Sequence, residues 1–408
     1  MQIDDSQPRP PYNLHDAKVD APRKTKVVFV QHSLPRAGGA EQVLYDLISR
    51  LDQQTIEPVL CCLYELGELG QRLKDSGCKT HEHLVTQKLD PRNIGRIAKI
   101  LKQENADILY VTDAFHNMVV GRLAAYFAGT TKTVLAFHSF DTVLRDGDKM
   151  PFARRLVQGS ADRMLHPTYH RVIALAEGHK EYLASTKKIA EEKIAVVHNG
   201  IDHHRFCVTR DKSEARTKLG LPTDKQIVGI VAALRPWKSH DKFLESASKI
   251  AKEAPNTLFL IAGQGKEREN LVTLTKKLGL EKNVQFMGQV SDVPTFLQSL
   301  DISVLTSFHE AFPLSLLESM SSGLPVVSTD VGSVNEIIDD SVTGYLVPFG
   351  DTDLFAQKVV SLLQNGELAK QLGDAGRKKV EDMFTVDHMV HRMETIFHDL
   401  VASDRESR

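Results

Sequence analysis

The sequence predicts an α/β protein with two doubly wound parallel-sheet domains that face an interdomain cleft. The first observation is its length of 408 residues, because one hydrophobic core usually serves about 100–200 residues. The second is a repeated alternation of short β-branched runs with helical periodicity, which is typical of parallel strands covered by helices. The third is a pause in that alternation over residues 199–222, which separates two such series.

The first series follows a proline-rich leader. Residues 1–25 carry charges and prolines but no continuous apolar stretch, so we expect a disordered segment and not a signal peptide or an anchor. Residues 26–31 then form an apolar run, which precedes a loop at Gly38 and Gly39 and helical periodicity over 41–51. The other predicted elements are strands at 57–63, 107–112, 133–138 and 171–176, and a helix at 94–103.

The second series predicts six buried strands separated by helix-like sequence. Asn199-Gly200 is a turn signal, and the charged residues 205–218 lack strand periodicity, so the domain junction is placed near residue 203. Apolar residues at helical spacing over 386–401 predict a closing helix across the domains. The predicted segments are domains 26–203 and 204–385, a closing helix and tail 386–408, and strands 227–233, 257–262, 284–288, 302–306, 325–329 and 344–347.

Composition excludes several classes of protein. The 51 basic and 53 acidic side chains nearly cancel, so the chain lacks the overall positive field of a nucleic-acid-coating protein. The four cysteines have no metal-ligand spacing, which favours reduced thiols in a cytoplasmic protein. No segment approaches about 18 uninterrupted apolar residues, so no membrane-spanning helix is predicted.

Residues 307–323, SFHEAFPLSLLESMSSG, are the most informative segment, and they follow an apolar strand. Pro313 suits the first turn of a helix and Gly323 the position just past its end. Backbone N–H groups of Phe312, Leu314 and Ser315 would then be free at a helix start, which attracts phosphate. Glu318 lies on an otherwise apolar helix, where its carboxylate needs a polar partner such as a sugar or ribose hydroxyl.

Glu310 and Glu318, with seven residues between them, resemble the E-x7-E signature of the retaining glycosyltransferases of family 4. This family has the GT-B fold, which consists of two Rossmann-like domains. The resemblance extends over nearly all of the chain after the leader, in matching order. The other segments that carry it are GGAE from Gly38, VLAFHS with His138, VVHNGIDHHRF, RPWKSHDKF with Lys238, IAGQGKERENL and VTGYLVPFGD.

The resemblance implies a transfer reaction that uses a nucleotide diphosphate sugar, UDP- or GDP-linked, and a glycan or lipid-linked acceptor. It implies that Glu310 faces the hydroxyls of the donor sugar, that Glu318 binds the ribose, and that Lys238 neutralises the diphosphate. A fixed cation there lowers the barrier, because charge builds on the leaving phosphate. His138 resembles the histidine that contacts the donor sugar. The acceptor is then recognised mainly by the first domain and the donor mainly by the second.

Further expectations concern the loops around the diphosphate. Many relatives carry Arg where this chain has Ala233, so Arg235 is a candidate to replace it. Gly38 and Gly39 allow close approach of a phosphate or acceptor. No metal or other cofactor is implied, because side chains and helix dipoles replace the cation in this fold. Retention of the anomeric configuration, with the leaving diphosphate assisting removal of the acceptor proton, is likewise implied by the resemblance.

Two segments allow more than one interpretation. Gly263 and Gly265 resemble the start of a dinucleotide fingerprint, but Arg268 occupies the place of the third glycine, so we interpret them as a turn beside the nucleotide. Residues 145–171 carry six basic side chains among Met, Phe and Leu. This segment is either an exposed helical face or a peripheral contact with anionic lipid at the inner membrane face.

Two other functions stay open from the sequence. A nucleotide-sugar epimerase or phosphorylase of the same architecture would release free sugar or act without a second acceptor. A catalytically silent sugar-nucleotide sensor would bind and not turn over, although Glu310, Glu318 and Lys238 argue against silence.

Overall fold

Two parallel sheets, each covered by helices, form the architecture. The computed structural model describes residues 23–35, 38–85, 90, 92–112, 115–129, 132–140, 168–207 and 211–405. The predicted leader therefore lies outside the described residues as far as residue 22. Thr25 already belongs to the first strand, and the Arg23 guanidinium donates to Oδ1 of Asp107 over 3.0 Å.

The first sheet has seven strands, all paired in parallel, in the order β3-β2-β1-β4-β5-β6-β7. The order reverses between β1 and β4, which creates the crevice where doubly wound sheets bind ligands. The strands are β1 (Thr25–Gln31), β2 (Ile56–Cys62), β3 (Lys79–His81), β4 (Ile108–Thr112), β5 (Lys132–Ala136), β6 (Arg171–Ala174) and β7 (Ile194–Val196).

The second sheet has six parallel strands in the order β10-β9-β8-β11-β12-β13, and its order reverses between β8 and β11. The strands are β8 (Gln226–Val231), β9 (Thr257–Ala262), β10 (Val284–Gly288), β11 (Ile302–Leu305), β12 (Val326–Thr329) and β13 (Tyr345–Val347).

Helices connect the strands and cover both faces of the sheets. Those before the second sheet are α1 (Gly39–Arg50), α2 (Gly67–Asp75), α3 (Arg92–Glu104), α4 (Phe115–Ala128), α5 (Glu177–Lys187), α6 (His203–Phe206) and α7 (Lys212–Lys218). Those that follow are α8 (His240–Glu253), α9 (Arg268–Lys277), α10 (Val293–Gln298), α11 (Leu314–Ser321), α12 (Val334–Ile337), α13 (Thr352–Gln364), α14 (Gly366–Met383) and α15 (Val386–Arg405). Among the described helices, none combines the length and apolar character needed to cross a bilayer.

Adjacent side chains of a strand enter different cores, as the period of two requires. Cys61 packs in the cluster on one face of the first sheet and Cys62 in the cluster on the other, and both are fully buried free thiols. Burial raises the pKa of the Cys62 thiol to about 12, which keeps it protonated. Cys61 and Cys62 therefore serve as small apolar core residues.

The chain crosses between the two sheets twice, and the two crossings lie side by side. Ile201 accepts a backbone hydrogen bond from Val386 and donates one to Phe384, both 3.0 Å long. After this point α15 packs on the first sheet, where the Phe397 ring contacts the rings of Phe29 and Tyr110 at 6.2 Å between centroids. The last helix thus joins the end of the chain to the first core.

The structure confirms the two parallel sheets and all six predicted strands of the second series. It adds β3 and β7 to the five predicted strands of the first series. Each of these has three residues, too few for a hydrophobic pattern to show. Residues 205–218, predicted only to lack strand periodicity, include α7, which Asp211 caps by accepting from the N–H of Ser213.

Candidate active site

A cleft of about 780 Å³ opens between the carboxyl ends of the two sheets. Both points of strand-order reversal face it, since the loops after β1, β8 and β11 all contribute to its wall. Of the predicted site residues, the cleft is lined by Gly38, Gly39, His138, Arg235, Lys238, Gly263, Glu310, Phe312, Leu314, Ser315 and Glu318.

Lys238 lies in the loop that leaves β8, at the end of a short 3-10 turn formed by Pro236–Lys238. The next residue, Ser239, adopts a left-handed conformation (φ 45°) and its carbonyl accepts from Thr306 Oγ1 over 3.0 Å. The Trp237 carbonyl accepts from the N–H of Phe308 over 3.0 Å. The loops after β8 and β11 are therefore bonded to each other, and Lys238 is held beside the second of them.

Glu310 is buried in the loop after β11 and forms an ion pair with Lys238. Its carboxylate also accepts from Ser307 Oγ over 2.5 Å, and only 9% of its side chain is exposed, compared with 20% for Lys238. Lys238 is thus the more accessible member of the pair. The arrangement fixes a cation at the cleft wall and holds a carboxylate beside it, and both residues line the cleft.

Helix α11 begins where the sequence predicts, with one difference in detail. Pro313 is the N-cap residue and lies just before the helix instead of in its first turn. No described residue accepts a hydrogen bond from the backbone N–H groups of Phe312, Leu314 or Ser315, which agrees with a free helix start. Gly323 follows the helix with φ +73°, as predicted for its end.

Glu318 lies one turn inside α11 and lines the cleft floor. Burial raises the pKa of Glu318 to about 7, and the nearby Arg205 guanidinium only partly offsets this effect. A partly protonated carboxyl at neutral pH can both donate and accept hydrogen bonds. Such a group is suited to neutral hydroxyl partners.

Glycine allows the two sides of the cleft to come close at the start of α1. Gly38 is the N-cap residue and Gly39 the first residue of that helix. A Cβ at Gly39 would lie 3.2 Å from Cδ1 of Leu314, at the start of α11. The predicted phosphate or acceptor loop and the predicted donor helix are therefore neighbours.

His138 follows β5, which ends at Ala136 and not at residue 138 as predicted. Two other histidines near the cleft are neutral. Burial, reinforced by His138, lowers the pKa of His179 to about 4. Burial, reinforced by Lys238, does the same for His240. Lys238 therefore supplies positive charge without help from His240.

Three other predicted residues lie in the loops of the second sheet. Arg235 lines the cleft and its guanidinium lies 5.9 Å from the centroid of the Trp237 ring. Gly263 also lines it, and a Cβ there would lie 1.9 Å from the Ala232 carbonyl oxygen. Gly265 does not line the cleft, because its α-carbon packs on the backbone of Leu234, where a Cβ would lie 2.1 Å from the carbonyl oxygen.

Sequence reasoning missed several residues of the cleft wall. Phe140 and His309 face each other with 4.4 Å between ring centroids, one from each sheet's loops. Arg205 lines the cleft from α6, and Asn199 donates from Nδ2 to the Phe312 carbonyl over 3.2 Å. Arg205 and Asn199 belong to the VVHNGIDHHRF segment, so the resemblance carried a signal for them. His309 lies in the segment 307–323 that the sequence singled out, next to Glu310, and Phe140 directly follows the VLAFHS segment, so their positions beside motif residues were the available signal.

Two doubly wound sheets whose points of strand-order reversal face one cleft define the GT-B class of glycosyltransferases. Two family models match this chain, "Glycosyltransferase Family 4" over residues 37–205 and "Glycosyl transferases group 1" over residues 211–379. Together they account for most of the sequence. The chain belongs to these glycosyltransferases, and it is a transferase enzyme.

Named relatives agree with this assignment. The chain is 28% identical over 315 residues to N-acetyl-alpha-D-glucosaminyl L-malate synthase of Bacillus anthracis, covering 77% of this chain and 80% of that protein. It is 26% identical to the UDP-Gal:alpha-D-GlcNAc-diphosphoundecaprenol alpha-1,3-galactosyltransferase of Escherichia coli, covering 93% and 98%. The crystal structure of Anabaena HepE in complex with UDP superposes with a TM-score of 0.79 at 20% identity, covering 92% and 100%.

Proposed function

We propose that this glycosyltransferase moves a sugar from a UDP- or GDP-linked donor to a glycan or lipid-linked acceptor with retention of configuration. The observation that carries the proposal is the position of the Lys238–Glu310 ion pair in the cleft that the free start of α11 also lines. A cation and unpaired backbone N–H groups are the two features that bind a diphosphate. A UDP donor is the first to test, since the names of the Escherichia coli relative and the HepE structure include UDP.

The proposed reaction breaks the bond between the anomeric carbon and the diphosphate oxygen, and a bond from an acceptor hydroxyl oxygen to that carbon replaces it on the same face. The acceptor proton passes to the leaving diphosphate. Lys238 and the N–H groups of Leu314 and Ser315 stabilise the charge that builds on the diphosphate. Glu310 and His138 orient the sugar, and Glu318 binds the ribose.

The nucleotide is proposed to occupy the part of the cleft that the second sheet's loops line. Gly263 allows a ligand to approach the backbone closely, and Arg235 adds positive charge near Lys238. The acceptor is proposed to enter beside Gly38 and Gly39. A cytoplasmic location fits a donor of this kind. A contact with the membrane through residues 145–171 falls almost entirely outside the described residues.

The test is nucleotide release from a panel of UDP- and GDP-sugars, measured by mass spectrometry with and without acceptor. We expect Lys238→Ala and Glu310→Gln each to lower turnover by roughly 10²–10³-fold, as for removal of one preorganised electrostatic group. Lys378→Ala is the matched control, because Lys378 pairs with Asp382 over 2.9 Å on the exposed face of α14, and neither residue lines the cleft.

The same assay separates the other functions. Free sugar release without an acceptor would indicate a phosphorylase-type or hydrolytic enzyme, and an altered sugar on intact nucleotide would indicate an epimerase. Binding without turnover would indicate a sensor. Near-normal transfer by both cleft variants would place the active site elsewhere.

A further inference from the structure

Glu336 forms a contact between the two halves of the molecule that the proposed chemistry does not use. It lies on α12, which follows β12 of the second sheet. Its carboxylate accepts from the backbone N–H groups of Glu177 and Gly178 over 3.0 and 2.9 Å. Those groups belong to the start of α5, which follows β6 of the first sheet. A carboxylate of one half therefore caps a helix of the other.

The capping is favourable for two physical reasons. The first N–H groups of a helix lack intrahelical partners, and the helix dipole attracts negative charge. The N-cap residue of α5 is Ala176, whose side chain cannot supply an acceptor. Gly178 leaves room for the approach, since a Cβ there would lie 3.1 Å from Ser333 Oγ. Glu336 thus takes the role that a local Ser or Asp usually fills.

His198 extends this contact to the cleft. Its Nε2 lies 3.2 Å from Oε2 of Glu336. Its ring packs on the rings of Phe312 and Phe384, with centroids 5.0 and 5.4 Å apart. The adjacent residue, Asn199, donates to the Phe312 carbonyl. His198 and Asn199 therefore hold Phe312, the residue that precedes the N-cap of α11, by its ring and its backbone.

We propose that Glu336 and His198 form an interdomain clasp that holds the cleft closed and positions the start of α11 for the donor diphosphate. The positioning part rests on the proposed function. Neither side chain lines the cleft. His198 packs directly on Phe312 and Glu336 reaches Phe312 only through His198, so both are positioning residues. The clasp adds to the contacts that join the two halves at the paired crossings, across the cleft, and through Leu175 and Ala176, which pack in a core cluster of the second half. Its loss therefore favours the open arrangement.

The first experiment needs neither substrate nor activity. Small-angle X-ray scattering of the ligand-free chain should show a larger radius of gyration for Glu336→Gln than for the parent protein. Gln keeps the size of the side chain but loses its charge and one of its two acceptor oxygens. The control is Asp351→Asn, because Asp351 caps α13 within the second half by accepting from the N–H of Leu354 over 2.9 Å.

The second experiment measures kinetics of the same variants. Hydrogen bonds to a charged group are stronger than those between neutral groups, so we expect kcat to fall roughly tenfold or more in Glu336→Gln. The donor Kd should change much less, because the second half alone supplies most donor contacts. His198→Ala should lower kcat as well, and the double variant should be about as slow as the slower single one, since residues of one network are not additive.

Each outcome decides a separate claim. Unchanged scattering in Glu336→Gln would overturn the clasp. Expanded scattering with normal kcat would overturn the positioning of α11. Additive losses in the double variant would show that His198 and Glu336 act independently. If the parent protein released no nucleotide from any donor, the proposed function would fail, while the scattering comparison would still decide the clasp. Thermal melting of all variants confirms that they are folded.

Discussion

At the scale of single residues, Lys238 and Glu310 show how a buried carboxylate keeps a lysine in place. A lysine free in solution would move with its flexible stem and lose entropy on binding a phosphate. Here the partner carboxylate and Ser307 restrain it before any ligand arrives. A site prepared in this way does not have to reorganise when charge builds on a leaving group.

Glu318 provides a residue-scale prediction on pH. Because burial raises its pKa in the folded state to about 7, above the ordinary 4.5, the folded protein binds the proton more tightly than the unfolded chain. Its contribution to stability is present below pH 4.5 and is lost as pH rises from there through 7. We expect Glu318→Gln to melt at a higher temperature than the parent protein at pH 8, but not at pH 4.5.

Thermal melting at a series of pH values checks this prediction, with Glu281→Gln, in the exposed turn before β10, as the control. The control should follow the parent protein at every pH. Equal melting curves for Glu318→Gln and the parent at pH 8 would show that ionised Glu318 does not lower the stability of the folded protein.

At the scale of elements, α15 is notable because it belongs to the end of the chain and packs in the first core. Val386, Met389, Val390, Met393, Ile396, Phe397 and Leu400 supply its buried stripe. Their spacing of three and four residues is the helical period, so the sequence predicted the helix and its packing across the domains. The structure places its buried stripe in the core of the first sheet. The helix makes the first core depend on residues 190 to 204 positions after the end of its last strand, β7.

Phe397→Ala tests that dependence. Phe397 is fully buried between Phe29 and Tyr110, so truncation should lower the free energy of unfolding by about 3–5 kcal/mol. Phe127→Ala is the control, because 60% of Phe127 is exposed, and it should cost far less. Urea unfolding measures both. A small loss in Phe397→Ala would mean that the first core is stable without the helix.

At the scale of the whole molecule, the points of strand-order reversal of the two sheets face each other. They do so because the chain passes between the sheets twice at one place. Gly200 makes the crossing close, since a Cβ there would lie 2.3 Å from the Thr385 carbonyl oxygen. The two halves are further joined by Glu336 at α5 and by the facing rings of Phe140 and His309. A ligand in the cleft therefore contacts both halves at once.

A nucleotide that binds in the cleft should stabilise the folded chain. A ligand at a hundred times its Kd adds about 2.7 kcal/mol if it binds only the folded state. We expect UDP to raise the melting temperature of the parent protein and to raise that of Lys238→Ala much less at the same concentration. Differential scanning calorimetry measures this. An equal shift in both proteins would show that Lys238 does not bind the diphosphate.

The same preparation tests the expected independence from metal. Prior treatment with EDTA should leave both the UDP-induced shift and turnover unchanged, because Lys238 and the α11 start are proposed to supply the positive potential. Loss of either on chelation, restored by Mg²⁺, would contradict that expectation.

The sequence by itself determined the two series of strands and helices, the helix that begins near Pro313, and the segments that carry the family resemblance. These are local properties, since periodicity, caps and glycine positions depend on neighbouring residues. Only the tertiary structure decided that Glu310 pairs with Lys238, that Gly265 faces Leu234 and not the cleft, and that Glu336 caps α5. Such contacts join residues 31 to 159 positions apart in the sequence. Their geometry depends on how the two sheets pack and on where the chain passes between them. No local sequence pattern encodes that packing.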